Sequence, residues 1–372
     1  MAQFRPVRSR HTSRATRSVI GFPIHRFPRI HQLWLRVDWR GKVLVVLCAC
    51  FFVLVIVPTA MANMVHRRDT DPARAWIQSD DAGVQVKVYD VQTGHVNNVA
   101  LNDYLVGVLA AEMNPHSPMQ ALEAAAVAAR TYVVHAMSAN VGSHPTFANQ
   151  HGADVTDNAS LDLPWWSMAV QEQRFGKDLS VNTVRLQHAV LATDGLILTY
   201  NKQPILAFTF GESTGQTRDG SKVFGKPLPY LKSVACPDDA HQLAKSPIHI
   251  SAPTLQQALQ IQSNNVQLNQ FRIAMRDAQG YVKAVAYHDK SWTGDDFASV
   301  LGLPSSNFTW TVSGNELLVQ CKGVGSGIGM SLNEAKALAQ QGKAWAEIVQ
   351  YFYPGTQVEG DERFTQPATT EE

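Results

Sequence analysis

The sequence predicts an α+β fold, in which a mixed helix and strand domain outside the cytoplasm carries a smaller inserted lobe and follows one N-terminal transmembrane helix. Three observations favour this class. Residues 101–137 place apolar side chains at helical spacing. Short runs such as residues 84–89 alternate apolar and polar side chains next to turn residues, as half-buried strands do. Residues 43–65 carry no charge at all.

The N-terminal part combines a basic tail with this uncharged stretch. Residues 1–42 hold ten Arg and Lys side chains against one acid, whereas the whole chain of 372 residues has a formal net charge of +1. Residues 43–65 are long enough to cross a bilayer as a helix. Basic residues before a span predict that the N-terminus is cytoplasmic and the rest lies outside, so we expect a single-pass protein of the cell membrane.

Two alternatives exist for the N-terminal part. The small residues at 60–62 would suit cleavage of a signal peptide, although the basic region is longer than signal peptides need. The basic tail could also be interpreted as a nucleic-acid arm. A neighbouring membrane with anionic lipid is the simpler explanation, so we expect no nucleic-acid partner.

Beyond the span, the sequence divides into a stalk, one large domain and a tail. Residues 66–81 are polar and are interpreted as the stalk, and residues 82–357 as the folded domain. Within that domain, residues 238–320 have helix and strand patterns of their own and are predicted to form the inserted lobe. The acidic residues 358–372 are predicted to be disordered. Trp165 and Trp166 suit either the core or a surface that stacks on sugars.

The four cysteines fall into two pairs. Cys48 and Cys50 lie inside the uncharged stretch and are interpreted as apolar filler. Cys236 and Cys321 would lie outside the membrane, where a disulfide can persist, but the sequence leaves open whether they pair. No C-x-x-C pair occurs, so a cysteine zinc site is not expected.

Glu112 is the strongest candidate for chemistry. The pattern predicts one helix from about residue 102 and a second over residues 119–138, joined by an elbow at Asn114 and Pro115. Glu112 continues the apolar face of the first helix, where burial raises the pKa of a carboxyl group. A glutamate with a pKa near neutrality can donate a proton to a leaving oxygen. Alternatively, Glu112 forms a salt bridge with Arg130 or Lys202, or lies in solvent.

These residues also carry a family resemblance. The run DYLVGVLAAEMNP and the following ALEAAAVAARTY resemble the two signature blocks of the stage II sporulation protein D family, which includes proteins described as amidase enhancers. Ala125 stands where the family usually has Gln. In the sporulation branch the Glu of the first block is the catalytic acid of a lytic transglycosylase, so the resemblance implies that role for Glu112. Arg130 and Tyr132 are expected to be structural supports, with Arg130 holding the elbow.

Two further blocks continue the resemblance. Residues 211–217 are similar to a hydroxyl-rich turn that lies beside the catalytic Glu in the family, and residues 322–331 are similar to its G-H-G-V-G-M-S-Q run. Ser326 stands where that run has His, and Leu332 stands where it has Gln. Glu212 is the rival carboxylate, expected to be more solvated than Glu112. The residues that the resemblance implies for sugar binding are Ser213, Thr214, Gly215, Thr217, Ser326 and Gly327.

The resemblance also raises the question of a metal. Some family members hold zinc through His and Cys near an Asp-rich strand, and residues 154–157 resemble that strand. However, residues 158–166 contain neither His nor Cys. The alternative is a site assembled from His144, His151, Asp154 and Asp157, but we expect no metal and no other cofactor.

Together the residues and the resemblance lead to two hypotheses. The first is a membrane-anchored peptidoglycan lytic transglycosylase, which cleaves the bond between N-acetylmuramic acid and N-acetylglucosamine in glycan strands stripped of peptides. Its expected partners are glycan strands, a cell-wall amidase and a membrane scaffold, in a sporulation setting. The second hypothesis is a protein without catalysis that binds the wall and activates an N-acetylmuramoyl-L-alanine amidase.

Overall fold

The folded part of the chain consists of short strands and helices around two hydrophobic clusters. The structure is a computed structural model, and it describes Trp76 and residues 79–139, 146–239, 246–262 and 266–360. The first cluster draws on residues between 86 and 353, and the second on residues between 250 and 321. We call the elements around the first cluster the body, and the described residues between 246 and 321 the lobe. The fold is therefore mixed α and β, with several small sheets.

The body begins with a small sheet that leads into two central helices. Strand β1 (Gln85–Tyr89) pairs antiparallel with β2 (Val96–Ala100) and parallel with β3 (Val155–Thr156). Helix α1 (Leu101–Glu112) follows β2 directly, and α2 (Met119–Ala139) follows the elbow at residues 113–118. The alanines of α2 between 121 and 129 are at most 1% exposed. Their small side chains let neighbouring helices and strands pack closely on α2.

The middle of the body adds short helices and a hairpin. The elements are α3 (Phe147–Gln150), α4 (Met168–Phe175), a 3-10 turn (Gly176–Asp178), α5 (Leu179–Ala192), β4 (Leu196–Tyr200), β5 (Gln203–Pro204), β6 (Thr209–Phe210) and α6 (Gly220–Phe224). Strands β4 and β5 form a hairpin whose turn is Asn201 and Lys202. Both turn residues have positive φ, 51° and 63°, which suits the twist of a two-residue hairpin turn.

The lobe contains two three-stranded sheets with a core of its own. Its elements are β7 (Ile248–Ser251), α7 (Ala252–Ala258), a 3-10 turn (Leu268–Gln270), β8 (Phe271–Arg276), β9 (Val282–Tyr287), β10 (Lys290–Thr293), α8 (Gly294–Val300), β11 (Phe308–Ser313) and β12 (Glu316–Cys321). The strand orders are β10-β9-β8 and β11-β12-β7. Phe297 and Phe308, with ring centroids 5.5 Å apart, belong to its core.

The chain returns to the body after the lobe. It forms β13 (Met330–Ser331), α9 (Leu332–Gln340), α10 (Trp345–Phe352) and β14 (Gln357–Gly360). Strand β13 pairs parallel with β6, and β14 pairs antiparallel with β4. Helices α9 and α10 pack on α2. The C-terminal helices therefore complete the core of the body around α2.

Both ends of the folded region extend beyond the predicted boundaries. Ser79 and Asp81, assigned to the stalk, are buried, because Asp81 forms an ion pair with Arg130. Residues 358–360, assigned to the disordered tail, belong to β14 and pair with β4. The predicted span at residues 43–65 and the basic tail lie outside the described residues. Among the described residues, no helix combines the length and the apolar character needed to cross a membrane.

The cysteine pair left open by the sequence is not a disulfide in the structure. Cys236 and Cys321 are free, buried thiols. Cys236 belongs to the core of the body and Cys321 to the core of the lobe, so each thiol packs as a small apolar side chain in a different cluster.

Candidate active site

Glu112 lies where α1 leaves the core. The helix is buried from Tyr104 to Ala110, whereas Glu112 is half-buried and Asn114 beyond it is exposed. Met113 takes an extended backbone (φ −128°, ψ 151°), which ends the helix. The Glu112 side chain is therefore at the edge of the core, neither sealed inside it nor extended into bulk water.

Within the described part of the chain, the Glu112 carboxyl has one hydrogen bond and no charged partner. Thr209 Oγ1 donates to Glu112 Oε1 over 2.7 Å. Glu112 Oε2 is shielded from solvent and has no hydrogen-bond partner among the described residues. Arg130 and Lys202, the two cations considered for a salt bridge, form ion pairs with other acids. The alternative interpretations of Glu112, as a salt-bridge partner or a solvated side chain, are thus wrong.

This environment sets the protonation state of Glu112. Burial raises the pKa of Glu112 from 4.5 to about 7, and the hydrogen bond from Thr209 offsets part of that rise. No charged side chain among the described residues contributes to the shift. Desolvation of the ionised form is its physical cause. At neutral pH a large fraction of Glu112 therefore keeps its proton, which is the state that a general acid requires.

Two buried tyrosines lie near the Glu112 carboxyl. Burial, and then the charges of Asp162 and Glu112, raise the pKa of Tyr104, whose hydroxyl has no hydrogen-bond partner in the described structure. Burial and the charge of Glu112 also raise the pKa of Tyr353, whose hydroxyl donates to Phe208 O over 2.6 Å. Both phenols stay neutral and keep the surroundings of the carboxyl apolar. No sequence pattern singled out these two tyrosines, although Tyr104 lies two turns before Glu112 on the same helix.

The second and third sequence blocks meet at the Thr209 strand. In the parallel β6–β13 pair, Thr209 lies opposite Met330; residues 211–217 follow β6, and residues 322–329 precede β13. The Glu212 and Val324 backbones bond to each other, N to O, over 2.9 and 2.8 Å. An added Cβ on Gly329 would lie 2.0 Å from Phe208 O, so only glycine permits this approach. Both blocks are thus anchored beside the hydrogen-bond partner of Glu112.

The structure separates the residues predicted to contact sugars into buried and accessible ones. Ser213 and Thr217 are about 1% exposed. Ser213 accepts a hydrogen bond from Gly215 N, and Thr217 donates to Lys232 O. These two hydroxyls hold the loop together, and the prediction that they face a ligand is wrong because the turn points them inward.

The other members of that set lie nearer the surface, with one exception. Thr214 and Gly215 are half-buried, and Ser326 is exposed. Gly327 is buried at φ 75°, and an added Cβ would lie 2.4 Å from the hydroxyl of Tyr281. Ser326 is thus the most accessible hydroxyl in the predicted set. Gly327 permits close packing and is not itself a contact surface.

The two predicted structural supports are buried, but one has a different role. Arg130 is fully buried and its Nε donates to Asp81 Oδ2 over 2.7 Å, while Nη2 donates to Val190 O over 3.0 Å. It therefore holds the end of α5, not the elbow. The elbow is held by Arg185, whose Nε donates to Pro115 O over 2.6 Å. That long-range contact left no signal in the sequence.

Tyr132 supports the site through a chain of hydrogen bonds. Its hydroxyl donates to Asp162 Oδ1 over 2.8 Å, and Asp162 Oδ2 accepts from Thr156 N and Thr156 Oγ1. The Tyr132 ring also packs against Phe208, with ring centroids 5.5 Å apart. Because Phe208 precedes Thr209, Tyr132 supports the strand that carries the hydrogen-bond donor to Glu112.

Trp165 packs on α1. An added Cβ on Gly107 would lie 2.3 Å from Trp165 Nε1, and the Trp165 ring stacks on Tyr104 with centroids 6.1 Å apart. Trp166 N donates to Gly107 O over 3.1 Å. The two tryptophans are therefore partly buried core residues, which is the simpler of the two interpretations. Residue 107 is a glycine because any side chain there would clash with Trp165.

The residues considered for a metal are engaged in other contacts. Asp154 Oδ2 accepts from Lys87 N, and Asp157 Oδ1 accepts from Val91 N. His151 stacks on Tyr89, with ring centroids 4.2 Å apart. His144 lies outside the described residues. These acids anchor loop backbone and do not converge as ligands do.

A second group of potential ligands is formed by Cys236, Asp239 and Glu334, all buried, with ligand atoms within 4.8 Å of one another. Asp239 accepts hydrogen bonds from Ser213 N, Ser331 Oγ and the Asn333 side chain. Burial raises the pKa of the Cys236 thiol to about 12, so the thiol keeps its proton. The group has the arrangement of a hydrogen-bonded junction between the two loops and α9.

Comparison with known proteins agrees with these blocks. A family model described as "Stage II sporulation protein" matches residues 89–200, which include α1, α2 and β4. The stage II sporulation protein D of Bacillus amyloliquefaciens is 33% identical over 289 residues, 76% of this chain and 81% of that protein. The chain belongs to the stage II sporulation protein D family.

Other relatives extend the match. The stage II sporulation protein D of Bacillus subtilis is 32% identical over 285 residues, covering 76% of this chain and 80% of that protein. An uncharacterised protein of Brachyspira hyodysenteriae is 28% identical over 267 residues, 71% of this chain and 67% of that protein. The resemblance noted in the sequence blocks is thus confirmed.

Proposed function

We propose that this member of the stage II sporulation protein D family is a membrane-anchored peptidoglycan lytic transglycosylase that acts in sporulation. The carrying observation is the Glu112 carboxyl, whose pKa is raised to about 7 by burial, with no counter-charge from any residue that the structure describes. A carboxylic acid in this state can protonate the oxygen of a glycosidic bond. Residues 43–65, outside the described structure, would serve as the anchor.

One carboxyl group suffices for this reaction. Glu112 protonates the glycosidic oxygen between N-acetylmuramic acid and N-acetylglucosamine, and the C1–O bond breaks. The deprotonated Glu112 then takes the proton from the C6 hydroxyl of the same sugar as that oxygen bonds to C1, which leaves a 1,6-anhydro end. Because the nucleophile belongs to the substrate, it is already positioned. Hydrolysis by the usual glycosidase route would require a second carboxyl group.

The electrostatics of the site favour the lyase over a hydrolase. A second catalytic carboxylate would lie about 5 to 9.5 Å from the first. Such a charge would raise the pKa of Glu112 by repulsion, yet burial is the only influence that raises it. The lyase route, which needs one carboxyl group, therefore fits this site better than hydrolysis with two.

The test uses the full-length chain and glycan strands freed of peptides by an amidase. We expect products with anhydro ends, lighter by one water than hydrolytic products, in mass spectra. Glu112→Gln should lower the rate at least ~100-fold, because general acid catalysis contributes 10²–10⁴. The matched control is Glu212→Gln, which alters a half-buried carboxylate on the neighbouring loop and should retain activity. Unchanged product formation by Glu112→Gln would refute the assignment of the acid.

A second function is favoured by one specific observation. Ser326 occupies the exposed position where the family block has His, so a side chain that the family places in this loop is absent. The alternative is a wall-binding activator of a peptidoglycan amidase. It predicts binding of stripped glycan without any anhydro product, together with faster peptide release when the chain is added to the amidase.

A further inference from the structure

Arg218 is a buried cation of the body whose charge is neutralised by the lobe. Its side chain is 3% exposed. Its Nε lies 2.8 Å from Asp277 Oδ2, in the turn between β8 and β9, and its Nη1 lies 3.2 Å from Asp295 Oδ1, in the first turn of α8. The guanidinium also lies over the ring of Tyr281, 4.6 Å from its centroid. Three lobe residues thus converge on one side chain of the body.

The same residue also holds the glycine loop, residues 322–329. Arg218 Nη1 donates to Ser326 O over 3.0 Å, and Arg218 N donates to Gly327 O over 2.7 Å. Gly327 in turn lies against Tyr281, which is fully buried. Arg218 is therefore a side chain that contacts both the loop and the lobe, in addition to the direct bonds from Gly325 N to Pro304 O and from Lys322 N to Asn307 O.

The chemistry of the side chain makes this contact specific. A guanidinium is planar and presents several donors in fixed directions, so it can bond two carboxylates and a carbonyl while its face covers an aromatic ring. A lysine offers one point of charge and cannot reproduce that arrangement. Each lobe carboxylate also accepts a hydrogen bond from within the lobe: Asp277 Oδ1 accepts from Tyr281 N, and Asp295 Oδ1 accepts from Ser306 Oγ.

Geometry then links this contact to the surface that a ligand would meet. Arg218 holds the main chain of Ser326, whose side chain is exposed. The glycine loop continues into β13, which pairs with the strand carrying Thr209. A change at Arg218 would move the lobe and the loop tip relative to Glu112 without altering the burial of Glu112 itself.

We propose that Arg218 is a positioning residue, which fixes the lobe and the Ser326 loop tip as one binding surface for the glycan, on one side of the Glu112 acid. The identity of the ligand rests on the proposed function. The mechanical part, that Arg218 holds the lobe and the loop tip together, does not. The lobe accordingly contributes to substrate binding, whereas bond cleavage depends on the body.

The test compares Arg218→Lys, Asp277→Asn and Asp295→Asn in the full-length chain. With stripped glycan as substrate, we expect KM to rise about tenfold in Arg218→Lys, since charge-assisted hydrogen bonds are lost. The kcat should change less than about threefold, and the high-pH limb of kcat should stay near 7 because Glu112 keeps its surroundings. Each Asp variant should raise KM in the same direction. A lower kcat at unchanged KM, or Asp variants with the KM of the wild type, would overturn the proposal.

Hydrogen exchange gives a readout that does not need activity. Amides of residues 323–329 and 277–281 should exchange faster in Arg218→Lys, while those of α1 should not change. Arg185→Lys is the matched control, since Arg185 also bonds backbone carbonyls but at Pro115 and Ser117, so it should affect residues 113–118 only. If the wild-type chain forms no anhydro product, the proposed function fails, and exchange decides the mechanical part. If both segments of Arg218→Lys exchange at the rates of the wild type, the mechanical part is refuted.

Should Arg218→Lys fail to fold, the Asp295→Asn variant keeps the proposal testable. Asp295 is half-exposed, with 51% of its side chain accessible, so its substitution leaves no buried charge alone. It should accelerate exchange in residues 323–329 and raise KM, each by a smaller factor than Arg218→Lys. Unchanged values of both quantities would overturn the link between lobe and loop.

Discussion

Thr209 Oγ1 lies 2.7 Å from Glu112 Oε1, and this hydrogen bond is the only one that the Glu112 carboxyl makes among the described residues. It lowers the pKa of Glu112 against the larger rise caused by burial. We predict that Thr209→Val moves the high-pH limb of kcat/KM upward by about one unit, since a hydrogen bond to a charged group is worth about 1.5–3 kcal/mol. The plateau rate should fall about tenfold because the carboxyl loses its orientation. A pH–rate profile on stripped glycan measures both.

The chain offers a matched control for this substitution. Thr199 Oγ1 donates to Glu359 Oε2 over 2.7 Å, a similar pair in the β4–β14 sheet. Thr199→Val removes the same atoms and should leave the pH profile unchanged. A shift of the limb to lower pH in Thr209→Val would contradict the role assigned to this hydrogen bond.

The raised pKa of Glu112 also predicts how stability depends on pH. Its pKa is 4.5 without burial and about 7 in the folded chain, so the unfolded state loses this proton first as pH rises. The stability contribution is therefore fully present below about 4.5 and is lost as pH rises through 7. The loss amounts to about 3 kcal/mol. Glu112→Gln should raise the free energy of unfolding at pH 8 by up to about this amount while abolishing activity.

A urea titration at pH 5 and pH 8 measures that prediction. The pH dependence should flatten in Glu112→Gln without vanishing, because burial also raises the pKa of Glu334 to about 7. Glu212→Gln serves as the control and should follow the wild type at both pH values. An unfolding free energy of Glu112→Gln below that of the wild type at pH 8 would show that the ionised carboxylate is stabilised in the fold, contrary to our account.

Local patterns in the sequence were sufficient for the elements that bear Glu112. The second helix was predicted over residues 119–138 and spans Met119–Ala139, since an alanine-rich helix after Ser-Pro has strong local signals. The burial of Glu112 followed from its position on the apolar face of α1. Its partner did not follow, because Thr209 is 97 residues away and reaches it only through the parallel pairing of two-residue strands.

Side-chain direction in loops could not be predicted either. Residues 211–217 were correctly singled out as a hydroxyl-rich turn, but residue type does not reveal which hydroxyls point inward. Ser213 and Thr217 are buried because their hydroxyls accept hydrogen bonds from backbone N–H groups, which in a regular strand would bond to a neighbouring strand. Likewise the charged end of the predicted stalk is buried, since the partner of Asp81 lies 49 residues away on α2.

The buried pair of Arg130 and Asp81 predicts a large loss of stability. Both side chains are 0% exposed and Nε lies 2.7 Å from Oδ2. Burial raises the pKa of Asp81 despite the neighbouring guanidinium. Asp81→Asn leaves a buried cation without its anion, so the free energy of unfolding should fall by about 3–5 kcal/mol. Chemical denaturation of the full-length chain checks this value.

An exposed ion pair provides the comparison. Lys343 Nζ lies 3.0 Å from Glu347 Oε1, with both side chains about half exposed. Lys343→Ala should cost less than about 1 kcal/mol, because water screens such pairs. Equal effects of the two substitutions would mean that Asp81 is solvated in solution and that the folded region begins after it.

The buried hydroxyl of Thr217 and the exposed hydroxyl of Ser326 should differ in what their removal changes, stability in the first case and KM in the second. Thr217 Oγ1 donates to Lys232 O and accepts from Val234 N over 3.0 Å, so Thr217→Val should lower the free energy of unfolding by about 1–3 kcal/mol with little change in KM. Ser326 is exposed and its Oγ accepts one long hydrogen bond, from Ile328 N over 3.3 Å. Ser326→Ala should therefore raise KM for stripped glycan about threefold, through loss of one neutral hydrogen bond to the ligand, and lower the free energy of unfolding by less than about 1 kcal/mol. Thermal melts and steady-state kinetics on both variants separate the two roles. A raised KM in Thr217→Val at unchanged stability would show that the second block turns outward when substrate binds, and the division between holding and contacting hydroxyls would then be wrong.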